Sequence, residues 1–182
     1  MKRKPFGSLL MLTGILLFVA SCDKTETFDD RWKLENETQF AAIAANPEYS
    51  KIHSESGQGY IMYKEVKQGD GATPYFTNRV KVLYTGWYKN DWSKPDSYTN
   101  DKGEYIQNKI VFDSTGNRND IPSTFYVYGV VDGFSTALQH MQVGDKWEIW
   151  IPWRMGYAEA GNNSIPGYTT LVFEIELVGI VA

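Results

Sequence analysis

The feature that most constrains this chain is an alternation of period two that recurs along it. In "LVFEIELVGI" the residues Leu171, Phe173, Ile175 and Leu177 fall on one side, while Glu174 and Glu176 fall on the other. "KWEIWIPW" groups Trp147, Ile149 and Ile151, and "RVKVLYTGWY" groups Val80 and Val82. "YIMYKEV" sets Ile61, Tyr63 and Glu65 against Tyr60, Met62, Lys64 and Val66, and is followed by Gly69-Asp70-Gly71. Successive side chains of a strand point to opposite faces, so this period specifies strands. Apolar residues on one side and charges on the other specify an antiparallel sheet with one wet face.

One segment among the strands has a different period. In "DGFSTALQHMQVG", Phe134, Ala137, Leu138 and Met141 lie at i, i+3, i+4 and i+7, the spacing of one helical stripe. Asp132 is placed to cap its start and Gly144 lies past its end. The expected architecture is therefore α+β: a curved antiparallel β-sheet wrapped around one short α-helix, with rings lining the crevice between them. A further helix is expected over Arg31–Ala45, with Trp32, Phe40, Ile43 and Ala44 as its less polar positions. Asn46-Pro47 ends it, because proline disfavours helix at the residue before it.

The chain opens with Lys2, Arg3 and Lys4 and a mostly apolar run from Phe6 to Val19. That run is shorter than the roughly 20 residues a membrane span needs and has the form of a secretory signal. It ends in Val19-Ala20-Ser21-Cys22, which resembles the lipobox of bacterial lipoproteins. The resemblance implies a signal peptide over 1–21 that is cleaved, lipidation of Cys22, and a lipid-anchored protein of the bacterial cell envelope, facing the periplasm or exposed at the surface. Residues 22–57 would then be a tether and short helical extension, and 58–182 the folded domain. Cys22 is the only cysteine, so the domain has no thiol for a disulfide, a nucleophile or a thiolate metal site.

Removing 1–21 takes three of the 18 basic residues and none of the 22 acidic ones, so 15 face 22 and the rest of the chain is net −7. Such a balance, without Lys/Arg clusters, argues against nucleic acid as a partner. His53 and His140 are far apart with no partner pattern. Neither a phosphate-binding glycine loop, nor a nucleophile elbow, nor a paired-carboxylate arrangement is present. "IVFDSTG" is the one segment that raises a question, since Asp113 directly follows Phe112 in an apolar run. Asp-Ser-Thr-Gly is turn chemistry that can simply face water. Alternatively the carboxylate borders a pocket, where it must be paired to be tolerated.

Taken together, "VLYTGWY", "VFDST", "VVDGFSTALQHMQVGDKWEIWIP", "GYAEAG" and "IPGYTTLVFEIELVGI" resemble the FKBP-type peptidyl-prolyl isomerases from about Gly57 to the C-terminus. The resemblance implies an FKBP-like fold and a rotamase that twists Xaa-Pro amides without covalent chemistry, cofactor or metal. By position, the pocket would comprise Tyr84, Phe112, Tyr126, Val130, Val131, Phe134, Ile165 and Phe173. Asp113 and Tyr157 would be its catalytic polar groups, and Arg118 would support Asp113. The Ile165 backbone N–H is a second expected donor to the peptide. Expected partners are proline-containing polypeptides of exported proteins, and macrolide inhibitors of the family. The alternative is a catalytically weak module that binds proline-containing segments.

Two departures from the family pattern stand out. Its "AYG" is here Gly156-Tyr157-Ala158, and its short connection between Tyr84 and Phe112 is replaced by an insertion at about 87–109. A connection this long usually carries structure of its own. It is read as a surface hairpin, whose two Trp and three Tyr are available to the pocket rim or to a partner.

Overall fold

The computed structural model describes residues 27–181; the expected signal segment and Cys22 lie outside them. Helix α1, Phe28–Ala44, starts three residues before the expected Arg31. The reason is a capping box: the Asp30 N–H donates to Thr27 Oγ1 and the Thr27 N–H donates back to Asp30 Oδ2, both at 3.2 Å. The strands are β1 Ser50–His53, β2 Tyr60–Lys67, β3 Arg79–Lys89, β4 Ser97–Thr99, β5 Tyr105–Gln107, β6 Lys109–Ser114 and β7 Ser123–Tyr126. Helix α2, Asp132–Leu138, follows, and then β8 Lys146–Ile151 and β9 Leu171–Val181.

Seven strands form one antiparallel sheet in the order β1-β2-β8-β9-β3-β6, with β7 also on β3. β4 and β5 make a separate hairpin between β3 and β6. β1 lies within 22–57, so that segment is more than a tether and a helix: it supplies an edge strand, paired to β2 from Ser50↔Tyr63 to His53↔Tyr60.

α2 crosses one face of the sheet as its apolar stripe demands. Ala137 and Leu138 are fully buried with Val80, Val82, Ile149, Ile151, Ile175 and Leu177. Asp132 does not cap the helix. It is the first helical residue, after Val131, and its carboxylate instead accepts hydrogen bonds from Ser54 Oγ at 2.9 Å and Ser56 Oγ at 2.7 Å. That ties α2 to the turn between β1 and β2.

The other face is not simply wet. Across the sheet, Met62 pairs with Trp150, Trp150 with Val172 and Val172 with Trp87, giving an apolar row on the side that Glu174 also occupies. Phe40 of α1 and Trp92 cover this row. The next row on the same face, Lys64, Glu148 and Glu174, is polar, and Lys146 Nζ pairs with Glu174 at 2.8 Å. Alternation sorts residues between faces but does not say where along a strand a face changes character.

Candidate functional site

β6 and β7 share one edge of β3, β6 at its C-terminal half and β7 at its N-terminal half. Where β6 leaves the sheet at Ser114, a cavity of about 480 Å³ opens between the strands and the first turn of α2. Its walls include Tyr84, Phe112, Asp113, Val130, Val131, Phe134, Tyr157, Ile165 and Phe173, all of them singled out from the sequence. The volume lies within the range of small-molecule pockets, roughly 300–1,000 Å³.

Phe173 is the keystone of the apolar wall. Its ring meets Phe134 edge-on at 5.1 Å and Phe112 edge-on at 5.4 Å, and lies 6.3 Å from Tyr84. Edge-to-face contacts of this kind lock one another's rotamers and contribute beyond their buried area. The wall can close because Gly86 faces Phe173 on β9 and Asp113 on β6. A β-carbon there would lie 2.5 Å from Phe173 Cε1 and 2.7 Å from Phe112 Cζ, so only hydrogen leaves room for both rings.

Asp113 stands at the rim with its carboxylate clamped. The Tyr84 hydroxyl donates to Oδ2, and Arg118 Nη1 donates to Oδ1 at 2.7 Å. Arg118 Nη2 also reaches the Tyr84 oxygen at 3.2 Å, closing a three-residue ring of charge-assisted bonds. Burial pushes the Asp113 carboxyl up, but the Tyr84 hydroxyl, the Arg118 guanidinium and the Ser114 backbone N–H outweigh it and hold it below its ordinary 3.8. Burial, and then the Asp113 carboxylate, push the Tyr84 hydroxyl above its ordinary 10.0, so it stays a proton donor. A depressed carboxyl contributes stability that is fully present above its unfolded value and is lost as pH falls through the folded one. The gap in unfolding free energy between wild type and Asp113→Asn should therefore stay constant at neutral and mildly acidic pH and narrow only below 3.8. Urea titrations of both proteins across that range check this.

The far wall is the loop that follows the Trp153–Met155 turn. Tyr157 borders the cavity, and its hydroxyl has no partner among the described residues. Its neighbour Ala158 adopts φ +55°, with its N–H donating to the Trp153 carbonyl at 2.8 Å and its carbonyl accepting from the Tyr168 N–H at 2.9 Å. The Ile165 N–H is not available as expected: it donates to Asn162 Oδ1 at 2.9 Å, which also accepts from the Ser164 N–H at 2.8 Å. An Asn side chain that takes backbone N–H groups two and three residues on is common turn chemistry. The Val131 N–H, by contrast, is left without an acceptor among the described residues at the cavity wall.

Comparison with known proteins gives this architecture a family. The family described as FKBP-type peptidyl-prolyl cis-trans isomerase matches residues 71–178, more than half of the chain. This chain belongs to that family. It is 39% identical over 129 residues to the FKBP-type 22 kDa peptidyl-prolyl cis-trans isomerase of Escherichia coli K12, covering 70% of this chain and 52% of that protein. To the isomerase FkpA of Aeromonas hydrophila it is 36% identical over 139 residues, 76% of this chain and 44% of the relative. The chain thus spans about half the length of these relatives. Among solved structures, the peptidyl-prolyl cis-trans isomerase of Pseudomonas syringae superposes with a TM-score of 0.64 at 27% identity, over 87% of this chain and 99% of that one.

Set against the family pattern, two of the expected placements change and two wall residues are new. Tyr126 does not line the cavity; it is exposed, stacked on Tyr128 at 5.0 Å, and Phe125 lines the cavity instead. In β7, Phe125 pairs with Val80 and Tyr126 with Arg79, so one residue of register decides which ring faces in. Asn162 and Ser164 are further wall residues that sequence reasoning missed. The Asn-Asn-Ser run was a turn signal but did not say what the turn would face. The rings of the insertion do not line the cavity: Trp87 and Trp92 pack with Trp150 on the opposite face, while Tyr88 enters the core near Trp32 and backs the wall ring Phe112.

The first departure, Ala158, occupies the left-handed region, which costs a residue with a β-carbon about 1–2 kcal/mol. Part of that is recovered because alanine restricts the unfolded chain more than glycine would. Ala158→Gly should therefore raise stability by about 0.5–1 kcal/mol, read from the urea midpoint.

Proposed function

We infer that this protein accelerates the cis–trans isomerisation of Xaa-Pro bonds in polypeptides. Supporting this is one observation above all: a cavity walled by Tyr84, Phe112, Phe134 and Phe173, with a clamped, ionised Asp113 at its edge. Twisting an amide means surmounting a resonance barrier of about 18–20 kcal/mol. Half-way round, resonance is lost and the carbonyl is less dipolar than in the planar state, which water favours. An apolar site withdraws that preference, and a thousandfold acceleration requires only about 4 kcal/mol.

In this reading the aromatic wall, with Val130, Val131 and Ile165, seats the proline ring and excludes water. The Tyr157 hydroxyl donates to a peptide carbonyl, and the Val131 N–H supplies the second donor in place of the engaged Ile165 amide. Asp113 acts through its field on the reacting carbonyl, with no proton transferred. Trp87 and Trp92 of the insertion pack on the opposite face of the sheet, and no insertion residue lines the cavity. A macrolide inhibitor of the family would occupy the same cavity.

Cellular placement follows from the N-terminal segment: cleavage after residue 21 and lipidation of Cys22 would tether the domain in a bacterial envelope, where it assists the folding of exported proteins. One relative, from Legionella longbeachae, is named an outer membrane protein, at 32% identity over 124 residues covering 66% of this chain and 44% of that protein.

A protease-coupled assay on Xaa-Pro peptides tests the activity. Wild type should accelerate the slow phase, and Phe112→Ala combined with Asp113→Val should lose at least about tenfold in kcat/KM, equivalent to about 1.4 kcal/mol of transition-state stabilisation. A wild-type protein without acceleration, or a double variant with full activity, rejects the reading. Incorporation of labelled fatty acid that disappears in Cys22→Ser tests the anchor.

A further inference from the structure

The wall of the cavity that carries Tyr157 has no secondary structure of its own between the Trp153–Met155 turn and β9. What holds it is α1. The Trp32 indole N–H donates to Thr169 Oγ1 at 3.1 Å, and that hydroxyl donates on to the Pro166 carbonyl at 2.7 Å, one residue from Ile165. Asn36, fully buried, accepts from the Thr170 N–H on Oδ1 at 2.8 Å and from Thr170 Oγ1 on its carbonyl at 3.1 Å. At the other end of the loop, Glu37 Oε1 accepts from the Trp153 indole N–H at 3.0 Å. Lys33 Nζ lies 5.2 Å from the Trp153 ring and 4.9 Å from the Tyr168 ring, and those two rings meet edge-on at 5.0 Å.

Trp153 and Tyr168 are the two residues whose backbones hold Ala158, one from each side. A strained φ such as that of Ala158 persists only where its surroundings over-determine it.

We propose that α1 is a positioning element of the isomerase site: through Trp32, Lys33, Asn36 and Glu37 it clamps both ends of the 153–170 loop and thereby sets where Tyr157 presents its hydroxyl. This rests on the isomerase reading for its catalytic consequence, but not for the positional one. None of these four residues lines the cavity; Lys33 and Glu37 act through Trp153 and Tyr168, which hold Ala158, and Trp32 and Asn36 act through Thr169 and Thr170.

Glu37 is the member to alter, because it is partly exposed and its other partner, Arg154 Nη1 at 3.8 Å, is a surface ion pair that both variants remove alike. In Glu37→Ala the Trp153 indole loses its acceptor, whereas Glu37→Gln keeps one. Two-dimensional NMR should show the Tyr157 and Ala158 amide resonances displaced in Glu37→Ala and near wild-type positions in Glu37→Gln, with those of Phe112 and Asp113 unmoved in both. In the peptide assay Glu37→Ala should lose about fivefold in kcat/KM, Glu37→Gln should retain wild-type activity, and in a Tyr157→Phe background Glu37→Ala should cost nothing more. Unmoved Tyr157 and Ala158 resonances, or a Glu37→Ala loss of equal size in both backgrounds, would overturn the proposal. A wild-type protein without turnover would instead defeat the isomerase reading, and the NMR arm would still decide the clamp.

Discussion

Gly86→Ala should lower unfolding stability by about 1–3 kcal/mol, the range for overpacking a filled core, and reduce peptide isomerisation at least about tenfold. The added β-carbon would sit 2.5 Å from Phe173 Cε1 and 2.7 Å from Phe112 Cε2 and Cζ, below the 3.0 Å that real β-carbons respect. Neither ring can retreat except into the cavity that both line. Phe173 is backed by Phe134 at 5.1 Å and is 5% exposed, and Phe112 is held between Phe173 at 5.4 Å and Tyr88 at 6.4 Å. The methyl group therefore displaces the wall of the cavity itself, and stability and activity fall together. Gly179→Ala is the matched control: it also lies in β9's sheet, no atom lies within 4 Å of its β-carbon, and such a change should stay within about 0.5 kcal/mol. Urea unfolding and the peptide assay on both variants decide the matter; a Gly86→Ala protein with wild-type midpoint and rate would show that the rings are not locked.

Asn36→Ala should be the most destabilising polar substitution in the α1 interface. Asn36 Oδ1 is shared by the Thr170 N–H at 2.8 Å and the Trp92 indole N–H at 3.1 Å, while Nδ2 donates to the Trp32 carbonyl at 2.9 Å. Truncation strands two donors that α1 and the insertion shield from water, each at about 1–3 kcal/mol, so a loss of about 2–5 kcal/mol is expected. Chemical unfolding followed by tryptophan emission measures it, and a loss below about 1 kcal/mol would mean that water reaches these groups. One carboxamide therefore joins the N-terminal helix, the insertion and the end of the 153–170 loop, just before β9. Removing it should loosen all three at once, which hydrogen exchange at Trp92 and Thr170 would register.

Much of the site was legible because each wall residue sits in a segment with its own local signal. Phe173 lies in the clearest alternation of the chain, Phe134 on the only helical stripe among the strands, and Phe112 and Asp113 where an apolar run meets turn chemistry. Tyr126 shows where that stops. Two adjacent rings in a four-residue strand must face opposite ways, but the choice between Phe125 and Tyr126 depends on pairing with Val80, a residue 45 positions away. The Ile165 amide failed as a donor for a similar reason, since Asn162 folds back onto it only once the loop has closed.

By itself the sequence determined strands β2, β3, β6, β8 and β9, the short helix, the inward face of β3, β8 and β9 and most residue types of the wall, because all of these follow from periodicity within a few neighbouring positions. Only the tertiary structure decided that α1 and Trp92 would cover the apolar row of the outer face, that Asp132 would hold a serine turn rather than cap its helix, and that the Tyr157 loop would hang from α1. Those outcomes depend on contacts such as Asn36 with Thr170, 134 residues apart, for which a chain carries no local pattern. Their energy comes from burying polar groups in pairs, and a pair exists only after both partners have been brought together.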